Sequence, residues 1–325
     1  MTKIYEFLEK EIMESNLSEE EKNKRLSKLL KARGQKINLL IVGATGSGKS
    51  STVNALFDTK LAKIGIGTEP ETKDIACYEL ENLTVWDTPG IGDNIEADKL
   101  YSENIVRKLS ELDENGVPLI DLVMVIIDAS TKDMTSVYNM INNIIIPSIS
   151  QENSGRILIA VNQADVAMKG KHWDSENNCP DEVLEAFLKE KCRSVKNRLF
   201  EAVGFETEPI YYCAGYTDEN GEQSKPYNLT KLLYHIVLSL PAEKRIAIAE
   251  NLNGNSDVWE YDDGEEDYTG KISDTFAETV KDCISDFAER GVIYGGAALG
   301  MPGALAGGLI GGIIGAVTGV IKGFS

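Results

Sequence analysis

The stretch GATGSGKSS, Gly43 to Ser51, sets three glycines, a lysine and four hydroxyls in one loop. An apolar run, INLLIV, precedes it and an amphipathic stretch follows, so it joins a strand to a helix. Its spacing is G-x-x-x-x-G-K-[ST], in the strand-to-helix setting that pattern requires, and its chemistry is anion binding. Glycines let the backbone bend until several N–H groups point at one anion, backed by the positive end of the helix dipole. Gly43, Ala44, Thr45, Gly46, Ser47, Gly48, Lys49, Ser50 and Ser51 are therefore a candidate phosphate cradle. Lys49 would neutralise the β- and γ-phosphates of a nucleotide, and the Ser50 hydroxyl would ligate Mg²⁺.

Three further stretches sit at the ends of apolar runs. VWDTPG (Val85 to Gly90) places Asp87 where it reaches Mg²⁺ through water, and the Gly90 N–H where it meets a γ-phosphate. In NQAD (Asn162 to Asp165) the Asp165 carboxylate can accept both the N1 and N2 protons of guanine, a pair adenine does not offer. YCAG (Tyr212 to Gly215) offers a backbone N–H, at Cys213 or Ala214, to the guanine O6. Each stretch alone is weak, because an Asp at a strand end often only forms a turn. All four in this order, at the C-terminal strand ends where parallel sheets bind ligands, point to one site for GTP or GDP with Mg²⁺.

The four motifs resemble those of the TrmE–Era–EngA–septin class of GTPases, most closely the bacterial Era-like ribosome-binding GTPases. The phosphate loop is also similar to that of immunity-related GTPases. The resemblance covers residues 36–240 and implies a P-loop GTPase fold and hydrolysis of GTP to GDP and phosphate. In that class a threonine completes the Mg²⁺ shell and senses the γ-phosphate. IGIGTEPETKDI holds two candidates, Thr68 and Thr72. Thr72-Lys73-Asp74 fits the class pattern better, which gives Thr72 a metal-binding and catalytic role beside Lys49.

Departures from the class carry their own expectations. Ile91 stands where Ras-like enzymes hold a water-orienting glutamine, so a low intrinsic rate is expected. Gly46 stands where some relatives recruit K⁺ through an asparagine, so catalytic help would come from a second protomer or a partner. Gln163 replaces the lysine that packs along the base, which leaves guanine selectivity to Asp165 beside Asn162. His172 and Trp173 follow NQAD, and His235 falls in a helical pattern. None has metal-ligand company in sequence, and all three read as packing or surface residues.

Positioning such a site needs alternating strands and helices. Strands are expected near 37–42, 74–80, 83–87, 121–128, 156–162 and 208–213, with helices near 49–57, 95–112, 133–146, 181–201 and 228–239. That alternation predicts an α/β fold, a mostly parallel sheet flanked by helices. The chain divides into an N-terminal helical segment (1–34) with a capping box at Ser18–Glu21, a GTPase domain (35–240), an acidic linker with an amphipathic helix (241–290), and a glycine-rich tail (291–325). The linker reading rests on seven acidic residues between Asp257 and Asp267.

The tail has glycine at every fourth place from Gly303 to Gly323, and 31 uncharged residues between Arg290 and Lys322. Residues 303–321 would span about 28 Å as a helix, close to a hydrocarbon core, and their small residues form a G-x-x-x-G face. A membrane-facing glycine zipper and a buried helical hairpin are both consistent with it. Net charge is −19, from 52 acidic and 33 basic residues, so DNA binding is not expected. Five scattered cysteines and an N-terminus without an apolar run suggest a cytoplasmic protein, peripheral to or inserted in the inner membrane. Three functions follow: a slow GTPase switch acting at a membrane through its tail, a ribosome-associated GTPase, or a GTP-gated effector that disrupts membranes or oligomerises.

Overall fold

In the segment INLLIVG, apolar residues face both ways. Strand β1 (Ile37–Gly43) sends Ile37, Leu39 and Ile41 into one core and Leu40 and Val42 into another. Strands β5 (Leu122–Asp128) and β6 (Ile157–Asn162) divide their side chains in the same way. A strand buried on both faces belongs to a sheet covered on both sides, the setting of parallel strands. The computed structural model describes residues 4–57, 63–65, 75–90, 95–149, 155–216 and 224–284. Thr68, Thr72, Ile91 and the glycine-rich tail 291–325 lie outside them.

Strands β2 (Lys63–Gly65), β3 (Ala76–Glu79) and β4 (Leu83–Asp87) lead into β1 in the order β2-β3-β4-β1-β5-β6-β9, where β9 is Ile210–Tyr211. Strands β4 to β9 of that order run parallel, and β3 and β2 add antiparallel. Two-residue strands β7 (Trp173–Asp174) and β8 (Cys179–Pro180) form a separate ladder after β6. β2, β7 and β8 were not expected; two or three residues are too few to show a period.

One face of the sheet carries α1 (Ile4–Glu14), α2 (Glu19–Arg33), α3 (Lys49–Leu56), α8 (Leu229–Ser239), α9 (Arg245–Ala249) and α10 (Tyr268–Ile284). The other carries α4 (Ile95–Ser110), α7 (Glu182–Val203) and the run from α5 (Thr135–Met140) through a π-turn at Ile141–Ile145 to α6 (Ile146–Ser148). The Ser18 capping box at α2 forms as expected, with Ser18 and Glu21 each bonding the other's backbone N–H. The N-terminal helices are not an appendage. Tyr5, Leu8, Ile12 and Leu29 enter the same core as β1.

The acidic stretch after α8 departs from the linker expectation. Its backbone is tied down at several points: Asn253 N–H donates to Leu56 O at 2.9 Å, and its amide reaches Ala55 O at 3.2 Å. Val258 and Trp259 are buried in the sheet's core. Lys225 pairs with Glu260, Lys231 with Asp263 and Glu265, and Lys189 with Glu265. The acidic stretch is thus a strap running from the end of α3 across α8, with most of its carboxylates outward and Asp263 buried against Lys231. The cations of Glu260, Asp263 and Glu265 stand on α7, on α8 and just before α8, outside any local window of sequence, while Glu266 pairs with nearby Lys271 of α10.

Candidate functional site

Parallel register brings the C-terminal ends of β1, β4, β5 and β6 to one edge, with Ile41 beside Asp87, Gly43 beside Ile126, and Asp128 beside Asn162. The loop from Gly43 to Ser51 crosses that edge and enters α3. Gly46 and Gly48 hold φ of +78° and +86°, a left-handed backbone that side chains rarely accept. At Gly48 space is also short, since a Cβ would lie 2.2 Å from Asn162 Nδ2. Lys49, 9% exposed, folds back so that Nζ donates to Gly43 O (3.3 Å) and Ala44 O (3.1 Å). Thr45 and Ser51 lie exposed at the loop's outer side. Ser47 is buried, and its hydroxyl has no hydrogen-bond partner among the described residues.

Asp87, at the end of β4, faces this loop. Ser50 Oγ donates to Asp87 Oδ2 at 2.8 Å, while Oδ1 is buried with no partner among the described residues. Burial raises the Asp87 pKa above the usual carboxylate range; the Ser50 bond and the Lys49 charge pull it the other way. Thr88 donates its hydroxyl to Ile41 O (2.7 Å) and meets the buried Tyr101 hydroxyl of α4 at 2.8 Å. Gly90 lies directly against the phosphate loop, where a Cβ would come 2.3 Å from Thr45 N.

This donor set suits one hard cation. A hydroxyl and a buried carboxylate with one free oxygen are what Mg²⁺ takes from a protein when phosphates and water supply its other ligands. Among the described residues no group of three His, Cys, Asp or Glu could hold a metal by itself.

The base-side motifs close on the same loop. Asn162 Nδ2 donates to Ser47 O (3.0 Å), and Asn162 Oδ1 accepts the Ala214 N–H (3.0 Å). Gln163 adopts φ +64° and donates to Gly46 O at 2.6 Å. Asp165 stands half-buried two residues further on. Cys213 departs from its expected role: its N–H and C=O are both engaged by Tyr227, so its backbone is closed to a base. The Ala214 N–H is likewise given to Asn162 Oδ1, which leaves Gly215, whose N–H rests on the Cys213 sulfur at 3.3 Å.

Thr52 carries no motif signal and Tyr212 only opens the YCAG stretch with no role assigned to its side chain, yet the two stand directly behind the cradle, hydroxyl to hydroxyl at 2.6 Å. Away from the site, His172 pairs with Asp181 on the surface, and Trp173 packs edge-on against Tyr227. His235 is held below its usual pKa chiefly by burial, so all three have the packing or surface roles their sequence setting suggests.

A glycine-rich loop between a central parallel strand and a helix, an Asp at the next strand's end, and an Asn–Asp pair two strands away define a P-loop GTPase fold. Residues 37–199, half of the chain, match the sequence profile of the AIG1 family, and the chain belongs to that family. Immune-associated nucleotide-binding protein 7 of Arabidopsis thaliana is 34% identical over 92 residues, covering 27% of this chain and 29% of that protein. Cell division control protein 10 of Candida albicans is 37% identical over 98 residues, covering 26% and 27%. Septin-12 of Homo sapiens is 36% identical over 81 residues, covering 21% and 22%. The matches therefore span less than a third of these curated relatives, and they place the chain in the class that holds septins and immune-associated nucleotide-binding proteins. Among solved structures, Toc33 from Arabidopsis thaliana in complex with GDP and Mg²⁺ is 16% identical with a TM-score of 0.41, covering 70% of this chain and 94% of that one.

Proposed function

We propose that this protein binds GTP and GDP with Mg²⁺ and hydrolyses GTP slowly, as a nucleotide-controlled switch. One observation carries the reading. Among the described residues the buried cradle keeps a donor, Ser47 Oγ, and an acceptor, Asp87 Oδ1, without partners, beside Lys49, whose Nζ donates to two loop carbonyls. Phosphate would satisfy the donor and the lysine, and a hydrated cation would satisfy the acceptor.

Lys49 would leave Gly43 O and Ala44 O for the phosphate oxygens, exchanging neutral acceptors for charged ones. Asp165 would accept the two guanine protons, and Gly215 would turn its N–H to the base oxygen. Mg²⁺, held by Ser50, by Thr72 and through water by Asp87, would neutralise charge on the phosphates. With Ile91 and Gly46 at the two assisting positions, help with hydrolysis would come from a second copy or another protein.

Titration with labelled GDP, a non-hydrolysable GTP analogue and ADP tests this reading. Guanine nucleotides should bind with Mg²⁺ and ADP should not, and Lys49→Ala should abolish binding. Equal binding by the Lys49→Ala variant would overturn the assignment.

The membrane reading belongs to the same proposal and rests on composition alone. Residues 291–321 carry no charge, and their glycines recur in step. No helix among the described residues is long and apolar enough to cross a membrane, so membrane contact would fall to this tail. Vesicle flotation of the whole chain tests it.

A further inference from the structure

Two successive carbonyls of the phosphate loop are held from the base side of the site, and a third is held from within α3. Gly46 O accepts from Gln163 Nε2 at 2.6 Å, and Ser47 O accepts from Asn162 Nδ2 at 3.0 Å. Gly48 O accepts from Thr52 twice, from its N–H at 2.9 Å and its hydroxyl at 2.8 Å. A trans peptide unit points its C=O and the next N–H in opposite directions. With the Ser47 carbonyl drawn toward Asn162 and the Gly48 carbonyl turned along α3 toward Thr52, the N–H groups of Gly48 and Lys49 face the opposite way, across the loop.

The third hold does not end at Thr52. Its single hydroxyl proton is committed to Gly48 O, so at the 2.6 Å contact Tyr212 must be the donor and Thr52 Oγ1 the acceptor. Both residues are fully buried. Tyr212 is itself fixed by strand β6 and the residues after it: its N–H donates to Val161 O at 2.8 Å, and its C=O accepts from Ala164 N–H at 3.1 Å. Ala164 lies between Gln163 and Asp165, and Tyr212 lies two residues before Ala214. A chain of hydrogen bonds thus runs from the turn that would read the base, through Tyr212 and Thr52, to the left-handed Gly48.

We propose that Tyr212 and Thr52 are positioning residues that couple the base-reading turn to the phosphate cradle. Neither touches the nucleotide. Tyr212 orients the Thr52 hydroxyl, Thr52 holds the Gly48 carbonyl, and that carbonyl aims the Lys49 N–H at the β-phosphate. The inference rests on the guanine-nucleotide reading above, and it assigns the coupling to these two hydroxyls rather than to the Asn162 clamp alone.

Calorimetric titration of the whole chain with GDP and with GMP tests it, because only GDP offers a β-phosphate. Tyr212→Phe keeps the ring and removes the donor; it should weaken GDP by about fivefold, the scale of one buried hydrogen bond, and leave GMP close to wild type. Thr52→Val should shift the GDP-to-GMP ratio likewise, the double variant should shift it little further, and Thr52→Ser should restore it. If Tyr212→Phe does not fold, the Thr52 pair still decides. A ratio unchanged in both Tyr212→Phe and Thr52→Val, or equal losses for both nucleotides with a lowered melting point, would overturn the proposal. Failure of the wild-type chain to bind GDP would instead remove the nucleotide reading, and the coupling with it.

Discussion

A buried carboxylate with an unpaired oxygen destabilises a fold until a cation or a proton meets it. Among the described residues Asp87 is such a group, and its raised pKa fixes the sign. Folded above unfolded means that the ionised form costs stability at neutral pH, and the cost fades as pH falls through the raised folded value. Asp87→Asn should therefore make the nucleotide-free protein as stable as wild type or more so at pH 7, by about 1 kcal/mol. The gain should shrink on acidification, and Mg²⁺ should no longer tighten nucleotide binding. Urea unfolding across pH, with GDP titrations with and without Mg²⁺, checks this; a clear loss of stability at pH 7 without nucleotide would contradict it. At this scale Lys49, Ser50, Asp87 and Asn162 were legible, because each sits in a motif whose spacing is local. The pairing of Thr52 with Tyr212 was not, because it joins residues 160 apart.

Among the elements, the acidic strap is where reading by composition failed. Seven carboxylates mask Val258 and Trp259, and nothing near them in sequence announces Lys189, Lys225 and Lys231. Glu265 shows the electrostatic side. Lys189, and after it Lys231, hold its pKa down to about 2. A depressed folded pKa contributes stability that is present above the unfolded value and lost as pH falls from there toward 2. Its side chain is 41% exposed, so solvent screens the pairing and limits it to under about 1 kcal/mol. Glu265→Gln should thus cost a few tenths of a kcal/mol at pH 7, and the difference from wild type should close below about pH 4.5. Denaturant midpoints at several pH values measure it; a constant difference down to pH 2 would show that packing, not charge, carries the effect.

For the molecule as a whole, the two-faced apolar strands made the parallel sheet readable. The N-terminal helices read only as amphipathic, because the sheet they cover begins after them in the chain. The proposed tail function also belongs at this scale. Vesicle flotation should carry the full chain upward with a non-hydrolysable GTP analogue and leave a chain ending at residue 290 behind. Full-length protein that stays soluble in both nucleotide states would end the membrane reading. The sheet's far edge bears on how copies meet. β9 has only two residues, Pro209 precedes it, and Tyr211 O already accepts the Asn228 amide at 3.1 Å. A strand from another molecule finds almost nothing there to pair with, so fibre-like growth by continuing the sheet is blocked at that edge. Any assembly of this chain on that side must be made by side chains, and it can then be finite and reversible.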